Sequence, residues 1–342
     1  MKALHGSLYK LRGRFAHKLL NYFLRRRIDG RIAYFVFAPL FYILTKNRYA
    51  LEYNKEKHHY VSKFLLRNFK IGTSGEIYEY SSKHNPSRVS IKKQVALSEN
   101  FYTFRDKKTK TPSNFIEKEI FARVLEPYTA KILKQVLENG VADLTNLERS
   151  ILDSFVAFQY TRTPKFFALM ENVITYLLVS GKLDSSEIKV KTFAKEVFIE
   201  NRYACSRGEL IRFNERNRTK VSGIDNLLLA SFAQLANHIG PLIFYKYLEL
   251  LRVENPRFFF TSDNPVVIFN VEKKGFVGPF IWEIRQDSLV LLPLSPTACL
   301  CYGNNRLLVE DSEVMYNLFW ELARDNAYQF VYADRITSDL RS

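Results

Sequence analysis

The chain of 342 residues carries 51 Lys and Arg against 35 Asp and Glu, a formal net charge of +16. Its 28 Phe and 20 Tyr supply enough apolar surface for a large core, which excludes a chain that is disordered throughout. Three cysteines are too few for a disulfide framework, and no pair of Cys-x-x-Cys motifs occurs, so we expect a reducing, cytoplasmic environment.

The positive charge is concentrated near the N-terminus. Residues 1–70 hold 16 basic and 3 acidic side chains, which gives this segment a net charge of +13. The other 272 residues keep 35 of the basic and 32 of the acidic side chains, a net charge of only +3. The basic character therefore belongs to the front segment, and the rest of the chain is nearly neutral.

Residues 1–56 are predicted to form a basic, amphipathic extension. Apolar residues recur there every three or four positions, as on one face of a helix, at Leu4, Leu8, Leu11, Phe15, Leu19 and Tyr22. The apolar run Ile32–Leu44 contains Pro39 and would span about 20 Å as a helix, which is shorter than the hydrocarbon core of a bilayer. We expect residues 1–48 to bind an anionic membrane surface; packing on the rest of the protein and contact with nucleic acid are the alternatives.

Downstream of the extension, the pattern predicts sheet, then helices, then sheet. Residues 56–70 are predicted to form a short helix, 76–80 a strand and 81–88 a loop. Helices are expected over 114–138, 145–162, 166–180, 185–200, 225–238 and 242–251. They are followed by strands over 257–261, 266–271, 288–292 and 297–302, a helix over 312–324 and a strand over 328–332.

This order of elements predicts an α+β fold, in which a helical block packs on a mostly antiparallel sheet. A single domain is expected over residues 57–335, with its helical part at about 114–252 and its sheet-rich parts at about 57–104 and 256–335. Residues 336–342 are predicted to form a tail.

Four short blocks of sequence resemble one microbial family. The first runs from His58 to Phe69 and reads HHYVSKFLLRNF; the others are QYTRTP at 159–164, TSDNPV at 261–266 and PLSP at 293–296. In this order and spacing they resemble the family catalogued as domain of unknown function 4238, over residues 57–335. Ser62 replaces the Pro that usually follows His-His-Tyr-Val in that family. The resemblance implies a shared fold and no established activity.

Five polar residues within these blocks are candidates for a functional site: His58, His59, Arg67, Arg162 and Asp263. Imidazole is a common metal ligand and general base, arginine binds phosphate or carboxylate through paired hydrogen bonds, and a carboxylate can hold a metal ion. Each has a structural alternative: histidines bonded to the backbone, arginines in buried ion pairs, and an aspartate that initiates a turn before Asn264-Pro265.

Two further patterns are weaker signals. Asp263 followed by Glu272-Lys273-Lys274 imitates the Asp…Glu-x-Lys pattern of metal-dependent nucleases, but Lys273-Lys274-Gly275 also fits a hairpin turn. Cys299 and Cys301 alternate within one predicted strand and are expected to pack there. No P-loop, GxGxxG, GxSxG or HExxH motif occurs, which argues against the common nucleotide-binding, serine hydrolase and zinc protease classes.

Two functional hypotheses follow from these patterns. In the first, the five candidates converge in one cleft and carry out metal-assisted hydrolysis, with phosphodiesters as the substrate and a divalent metal as the cofactor. In the second, the chain is a non-enzymatic binding protein that its extension holds at the inner face of the membrane. The patterns leave the choice between an enzyme and a binding protein open, and they give no oligomeric state.

Overall fold

The structure is a computed structural model that describes residues 57–99, 101, 103–105, 112–113, 117, 121–122, 125–184, 193–200, 202–203, 206–216, 225–272, 274–277, 283–284, 287–304, 306, 309 and 311–340. The predicted extension over residues 1–56 and the first part of the predicted helix 185–200 lie outside these residues. Within them, the chain forms the predicted α+β fold, in which helices pack on mostly antiparallel sheets.

The larger sheet contains β7 (Tyr247–Arg252), β9 (Val267–Asn270), β10 (Gly275–Phe276), β11 (Ser288–Ser295) and β12 (Ala298–Gly303). All neighbours are antiparallel, in the order β10-β9-β11-β12-β7. Residues of β11 and β12 are buried on both faces, as is typical of central strands that are covered on both sides. Along β11 they alternate between two cores: Val290 and Leu292 face one, and Leu289 and Leu291 face the other.

Helices cover both faces of this sheet. The first core lies under the helical block, formed by α1 (Lys63–Leu66), α2 (Glu126–Asn139), α3 (Asn146–Thr161), α4 (Pro164–Val179), α5 (Arg207–Arg216) and α6 (Asp225–Phe244). The second core lies under α7 (Ser312–Asn326). Short helical turns of other types lie at Arg67–Phe69, Lys195–Ile199 and Ser338–Leu340.

α3 is the central helix of the block. Its N-terminus has the predicted capping box, in which Thr145 Oγ1 accepts from the Glu148 N–H and the Glu148 carboxylate accepts from the Thr145 N–H at 2.9 Å. α3 packs on α6, where Gly240 lies beside the backbone of Ser154. Every side chain from Ser150 to Thr161 is buried as a result.

α6 is apolar enough to resemble a membrane span. The stretch Leu227–Phe244 has 18 residues and a mean hydropathy of 1.4, which meets the length and composition of a spanning helix among the residues described. Most of it (62%) is buried inside the protein. Because a buried core helix meets the same criteria, its packing on α3 explains this apolar character without a membrane.

The smaller sheet contains β2 (Glu76–Ser81), β3 (His84–Ser90), β8 (Thr261–Ser262) and β13 (Val331–Ala333), in the order β3-β2-β13-β8. Its register places Glu79 opposite Tyr332, and Tyr332 opposite Thr261. Directly opposed residues of neighbouring strands project from the same face, so these three side chains form a row. Two further strand pairs join β1 (Lys57–His59) to β4 (Leu97–Glu99), and β5 (Phe104–Arg105) to β6 (Pro112–Ser113).

Besides the opening block, which is described with the candidate site, three predicted elements differ from the structure. Residues 81–88, predicted as a loop, form most of β3, because an edge strand exposed to solvent tolerates polar residues and a proline. Residues 242–251, predicted as a helix, continue α6 to Phe244 and then form β7. Buried residues recur at Leu235, Ile239 and Ile243 across Pro241, and this burial outweighs the backbone hydrogen bond that the proline cannot form.

Of the predicted strand 257–261, only Thr261 belongs to a strand, since Phe258–Phe260 pack their rings against α7.

Candidate functional site

Residues 56–70, predicted as one short helix, form the strand β1 followed by α1 and the helical turn Arg67–Phe69, so only the second part of the prediction is confirmed. His58 and His59 lie in β1, opposite Ser98 and Leu97 of β4. Adjacent strand residues point to opposite sides, so the two imidazoles do not share a face. Both are buried, with 0% and 6% of their surface exposed. Lys57–His59 pair as a strand because β4 lies beside them, and the helix-like apolar spacing begins only at Tyr60.

His59 is a neutral, buried imidazole. Its Nε2 lies 3.3 Å from the carbonyl oxygen of Ile91, which can only accept, so Nε2 carries the proton. Burial is the main cause that lowers the pKa of His59 to about 4. The positive charges of Lys63, Arg162 and Arg67 lower this pKa further, whereas the hydrogen bond to Ile91 raises it. Burial and these three nearby cations therefore keep His59 uncharged at physiological pH.

Arg162 lies at the centre of a polar group with Ser62, Glu126 and Gln159, called the Arg162 cluster below. Its Nη1 and Nη2 both lie 3.2 Å from Glu126 Oε1, and Nη2 also donates to Gln159 Oε1 at 2.9 Å and to Ser62 Oγ. The Ser62 hydroxyl donates in turn to Glu126 Oε1 at 2.8 Å. Arg162 is 1% exposed and Glu126 25%, so Arg162 makes the buried ion pair that was its structural alternative.

Three parts of the chain position Arg162. It is the C-terminal cap of α3, and Pro164 begins α4 directly afterwards. Its guanidinium lies 4.6 Å from the centre of the Phe121 ring, a distance typical of a cation–π contact. Gln159 lies one helical turn before Arg162 and forms two hydrogen bonds to the backbone of the opening block. Its Oε1 accepts from the Ser62 N–H at 3.2 Å, and its Nε2 donates to the Tyr60 carbonyl at 2.8 Å.

The Asp263 carboxylate is buried and accepts three backbone hydrogen bonds. Oδ1 accepts from the N–H of Tyr328 at 2.8 Å, and Oδ2 accepts from Gln329 at 2.8 Å and from Phe330 at 3.1 Å. Burial raises the pKa of Asp263, while these three bonds and the charge of Lys165 lower it. Asp263 therefore fixes the distant backbone that leads into β13.

The four family-like blocks are joined by hydrogen bonds. Gln159 links the second block to the first, as described above, and Thr163 Oγ1 of the second block donates to Asn264 Oδ1 of the third at 2.7 Å. Asn68 Nδ2 of the first block donates to the carbonyl of Leu294 in the fourth at 2.9 Å. Arg67, next to Asn68, has an exposed side chain. The blocks therefore meet in space and hold the helical block against both sheets.

A second polar group shares Tyr60 with the opening block. It consists of Tyr60, Glu79, Asp263 and Tyr332 and is called the tyrosine–carboxylate cluster below. Burial is the largest cause of a raised pKa in all four, and the charge of Asp263 raises the pKa of each of the other three. Several perturbed ionisable groups in one place are typical of functional sites, although structural networks produce them too.

The structure brings only part of the predicted site together. His59 interacts electrostatically with Arg162 and Arg67, whereas Asp263 interacts with the tyrosine–carboxylate cluster. His58 points to the opposite side of β1 from His59. The convergence of all five candidates in one cleft stays a prediction.

Sequence reasoning missed most partners of these residues: Ser62, Glu126, Gln159, Tyr60, Glu79 and Tyr332. The sequence could have predicted Gln159 as a partner of Arg162, since it stands three positions earlier and therefore on the same side of a predicted helix. It also marked Ser62, which replaces the proline that is usual in the family. Glu79 and Tyr332 had none, because their meeting depends on the pairing of β2 with β13.

The donor sets expected for metals are not found in the described part of the chain. Among these residues, no group of three or more His, Cys, Asp and Glu side chains could hold a metal ion. Glu272 lies in the turn between β9 and β10, where Gly275 pairs with Asn270, so the nuclease-like pattern coincides with a hairpin. Cys299 and Cys301 are buried in the second core, which confirms the prediction that they pack there.

Comparison with known proteins identifies a family. The family described as protein of unknown function (DUF4238) matches residues 57–335, which include all four blocks and both polar clusters. The chain belongs to this family. No curated protein and no solved structure matches it. The DUF4238 match begins at Lys57, so the basic extension over residues 1–56 lies outside the family domain.

Proposed function

We propose that this DUF4238 protein is a non-enzymatic binding protein, which residues 1–48 attach to the anionic inner face of a membrane from the cytoplasm. The observation that carries the proposal is the division of charge, +13 on residues 1–70 against +3 on the other 272 residues. Basic residues near an anionic bilayer contribute about 1 kcal/mol each to binding. The apolar stripe and the short run Ile32–Leu44 add shallow insertion of apolar side chains to this attraction.

The contacts of Arg162 and Asp263 support a scaffold role for the domain. Arg162 donates to three protein groups and Asp263 accepts three backbone N–H groups, so both hold the fold together. A metal-assisted hydrolase of phosphodiesters is the second candidate, and His59 favours it, since a neutral imidazole beside a guanidinium can act as a general base. Its exposure of only 6% restricts the access of a polymeric substrate, which is why the binding role is preferred.

Flotation of the full chain with lipid vesicles tests the attachment. The protein should float with vesicles that mix phosphatidylcholine and phosphatidylglycerol, and should stay behind with phosphatidylcholine alone. Replacing Arg25, Arg26 and Arg27 together by Glu should lower the partition coefficient by roughly 100-fold, since at least three favourable contacts are lost. A matched control replaces three exposed basic residues of the domain by Glu, namely Lys92, Lys93 and Lys134, and should float like wild type.

Two outcomes would contradict the proposal. Equal flotation of the Arg25–Arg27 variant and wild type would remove the attachment role, and retention of duplex DNA by wild type but not by that variant would assign the extension to nucleic acid instead. Hydrolysis of DNA or RNA in the presence of Mg²⁺ or Mn²⁺, lost in His59→Ala and kept in the matched control, would overturn the non-enzymatic role and favour the hydrolase.

A further inference from the structure

We propose that the outer face of α7 is a docking surface for the basic extension of the same chain, and that it takes residues 4–27. This contact holds the extension on the domain in solution, and an anionic membrane competes with α7 for the same basic side chains. The inference does not depend on the proposed attachment, because the contact forms within the protein whether or not a membrane binds it.

α7 and its N-terminal cap present a line of side chains to solvent. Five of them recur at steps of three and four and therefore follow one side of the helix: Asp311, Val314, Leu318, Glu321 and Asp325. Val314 is 45% exposed and Leu318 is half-buried, whereas the three carboxylates are exposed. The line is therefore an apolar pair with acidic residues at both ends.

The charge of α7 is complementary to that of the extension. α7 contains three acidic residues and one basic residue, and its net charge of −2 is the lowest of helices α1–α7. Residues 4–27 carry seven basic side chains and no acidic one. The ion pair between Arg324 and Asp325 is exposed and 3.9 Å long, so it is too weak to cancel this attraction. The same acidic residues repel nucleic acid and anionic lipid, which excludes both as the occupant of this face.

The apolar residues of the two segments match as well. In the extension, Phe15, Leu19 and Tyr22 follow one another at steps of four and three, the same spacing that joins Val314 to Leu318. Two amphipathic helices pack when their apolar stripes meet and opposite charges lie along the edges. A single exposed Val would need no partner, but its position between carboxylates selects a helix that is both apolar and basic.

The extension joins the domain close to α7. The family domain begins at Lys57 in β1, and the hydroxyl groups of Tyr60 and Tyr332 form a hydrogen bond that places this start beside β13. β13 begins five residues after α7 ends at Asn326. A linker of 29 residues separates Arg27 from Lys57 and can span tens of ångströms, whereas α7 is only about 22 Å long. The linker therefore allows docking and keeps the extension at a high effective concentration near α7.

Photo-cross-linking in the full chain, without lipid, tests the contact. The photoreactive amino acid benzoylphenylalanine is placed at position 314 and, as a matched control, at position 179. Val314 and Val179 are exposed to similar extents, 45% and 51%, but Val179 lies at the end of α4. Irradiation should join position 314 to residues 4–27 in a product of monomer mass, which mass spectrometry of its peptides identifies. Position 179 should give no such product.

Charge reversal tests the cause of the contact. Glu321→Lys combined with Asp325→Lys should lower the yield of the cross-link from position 314 by about fivefold or more, because two attractions become repulsions. A high salt concentration should lower it too, since it screens exposed charges. The matched control combines Glu138→Lys with Glu200→Lys, which reverses two exposed carboxylates of other elements and should leave the yield unchanged.

Three outcomes would overturn the docking. They are equal yields from positions 314 and 179, a yield that reversal at Glu321 and Asp325 does not change, and a product of dimer mass, which would assign the face to a second copy. Flotation of the same chains separates this proposal from the membrane attachment. A chain that cross-links but does not float keeps the docking and loses the attachment, and one that floats without cross-linking loses the docking alone.

Discussion

Replacing His59 by Gln should remove about 2 kcal/mol of the loss of stability that acid causes in this fold. The pKa of His59 is about 4 in the folded protein and 6.5 in a solvated chain, mainly because burial opposes the charged ring. Between these two pH values the unfolded chain binds a proton at this residue and the folded protein does not. The stability that neutral His59 provides is therefore complete above about pH 6.5 and is lost as the pH falls towards 4.

The size of the effect follows from the two pKa values. From about pH 7 to about pH 5, proton binding to the unfolded chain lowers the free energy of unfolding by about 2 kcal/mol. The exposure of His59 is 6%, so screening by solvent reduces this value little. Gln keeps an N–H donor for the carbonyl of Ile91 and does not titrate, so the variant should lack this part of the pH dependence.

Urea denaturation of wild type and variants at both pH values measures the difference. His84→Gln is the matched control, because it makes the same replacement at an exposed position of β3, away from the buried site of His59. Wild type should lose about 2 kcal/mol more than His59→Gln over this interval. If wild type and His59→Gln lose the same free energy of unfolding, His59 is not held neutral in the folded protein and the argument from burial fails.

Three further substitutions test the polar contacts, each by chemical denaturation at neutral pH. Arg162→Met should lower the free energy of unfolding by about 3 kcal/mol, since Glu126 loses its buried partner, whereas Lys134→Met, in an exposed ion pair, should have little effect. Asp263→Asn should cost about 2–3 kcal/mol, because an amide nitrogen cannot accept the N–H groups that one carboxylate oxygen accepts. Ser62→Pro should cost only about 1 kcal/mol, since the lost hydrogen bonds are partly offset by a more restricted unfolded chain; a cost above about 3 kcal/mol would show that proline strains this position.

Periodicity predicted the fold where the pattern was long and local. The apolar helix that continues from Phe166 and the Thr145 capping box depend on neighbouring residues only, and both occur in the structure. The pattern failed where a partner decides the structure. Residues 247–252 form a strand because six positions pair with β12, and the polar residues of β3 form one because β2 lies beside them.

For the candidate site as well, the sequence predicted the local features and missed those that depend on distant partners. The blocks that resemble the family were found from sequence, and the structure shows which contacts Gln159, Arg162 and Asp263 make within them. The identity of the partners could not be predicted, because Glu126 and Ser62 meet Arg162 across separations of 36 and 100 residues. Function was harder still, since an arginine that binds a ligand and one that binds Glu126 look alike in a sequence.

Ser62 explains how this chain can depart from the family's usual Pro and keep the family's fold. Its φ of −60° is the value that a proline ring imposes, so the backbone at this position suits either residue. Serine adds two donors that proline lacks, and both are used, the N–H by Gln159 and the hydroxyl by Glu126. The hydrogen bond from Gln159 Nε2 to the Tyr60 carbonyl depends on neither of these serine donors. One hydrogen bond between α3 and the opening block would therefore survive an exchange of Ser62 for proline, whereas the contacts that Ser62 adds to the Arg162 cluster would be lost.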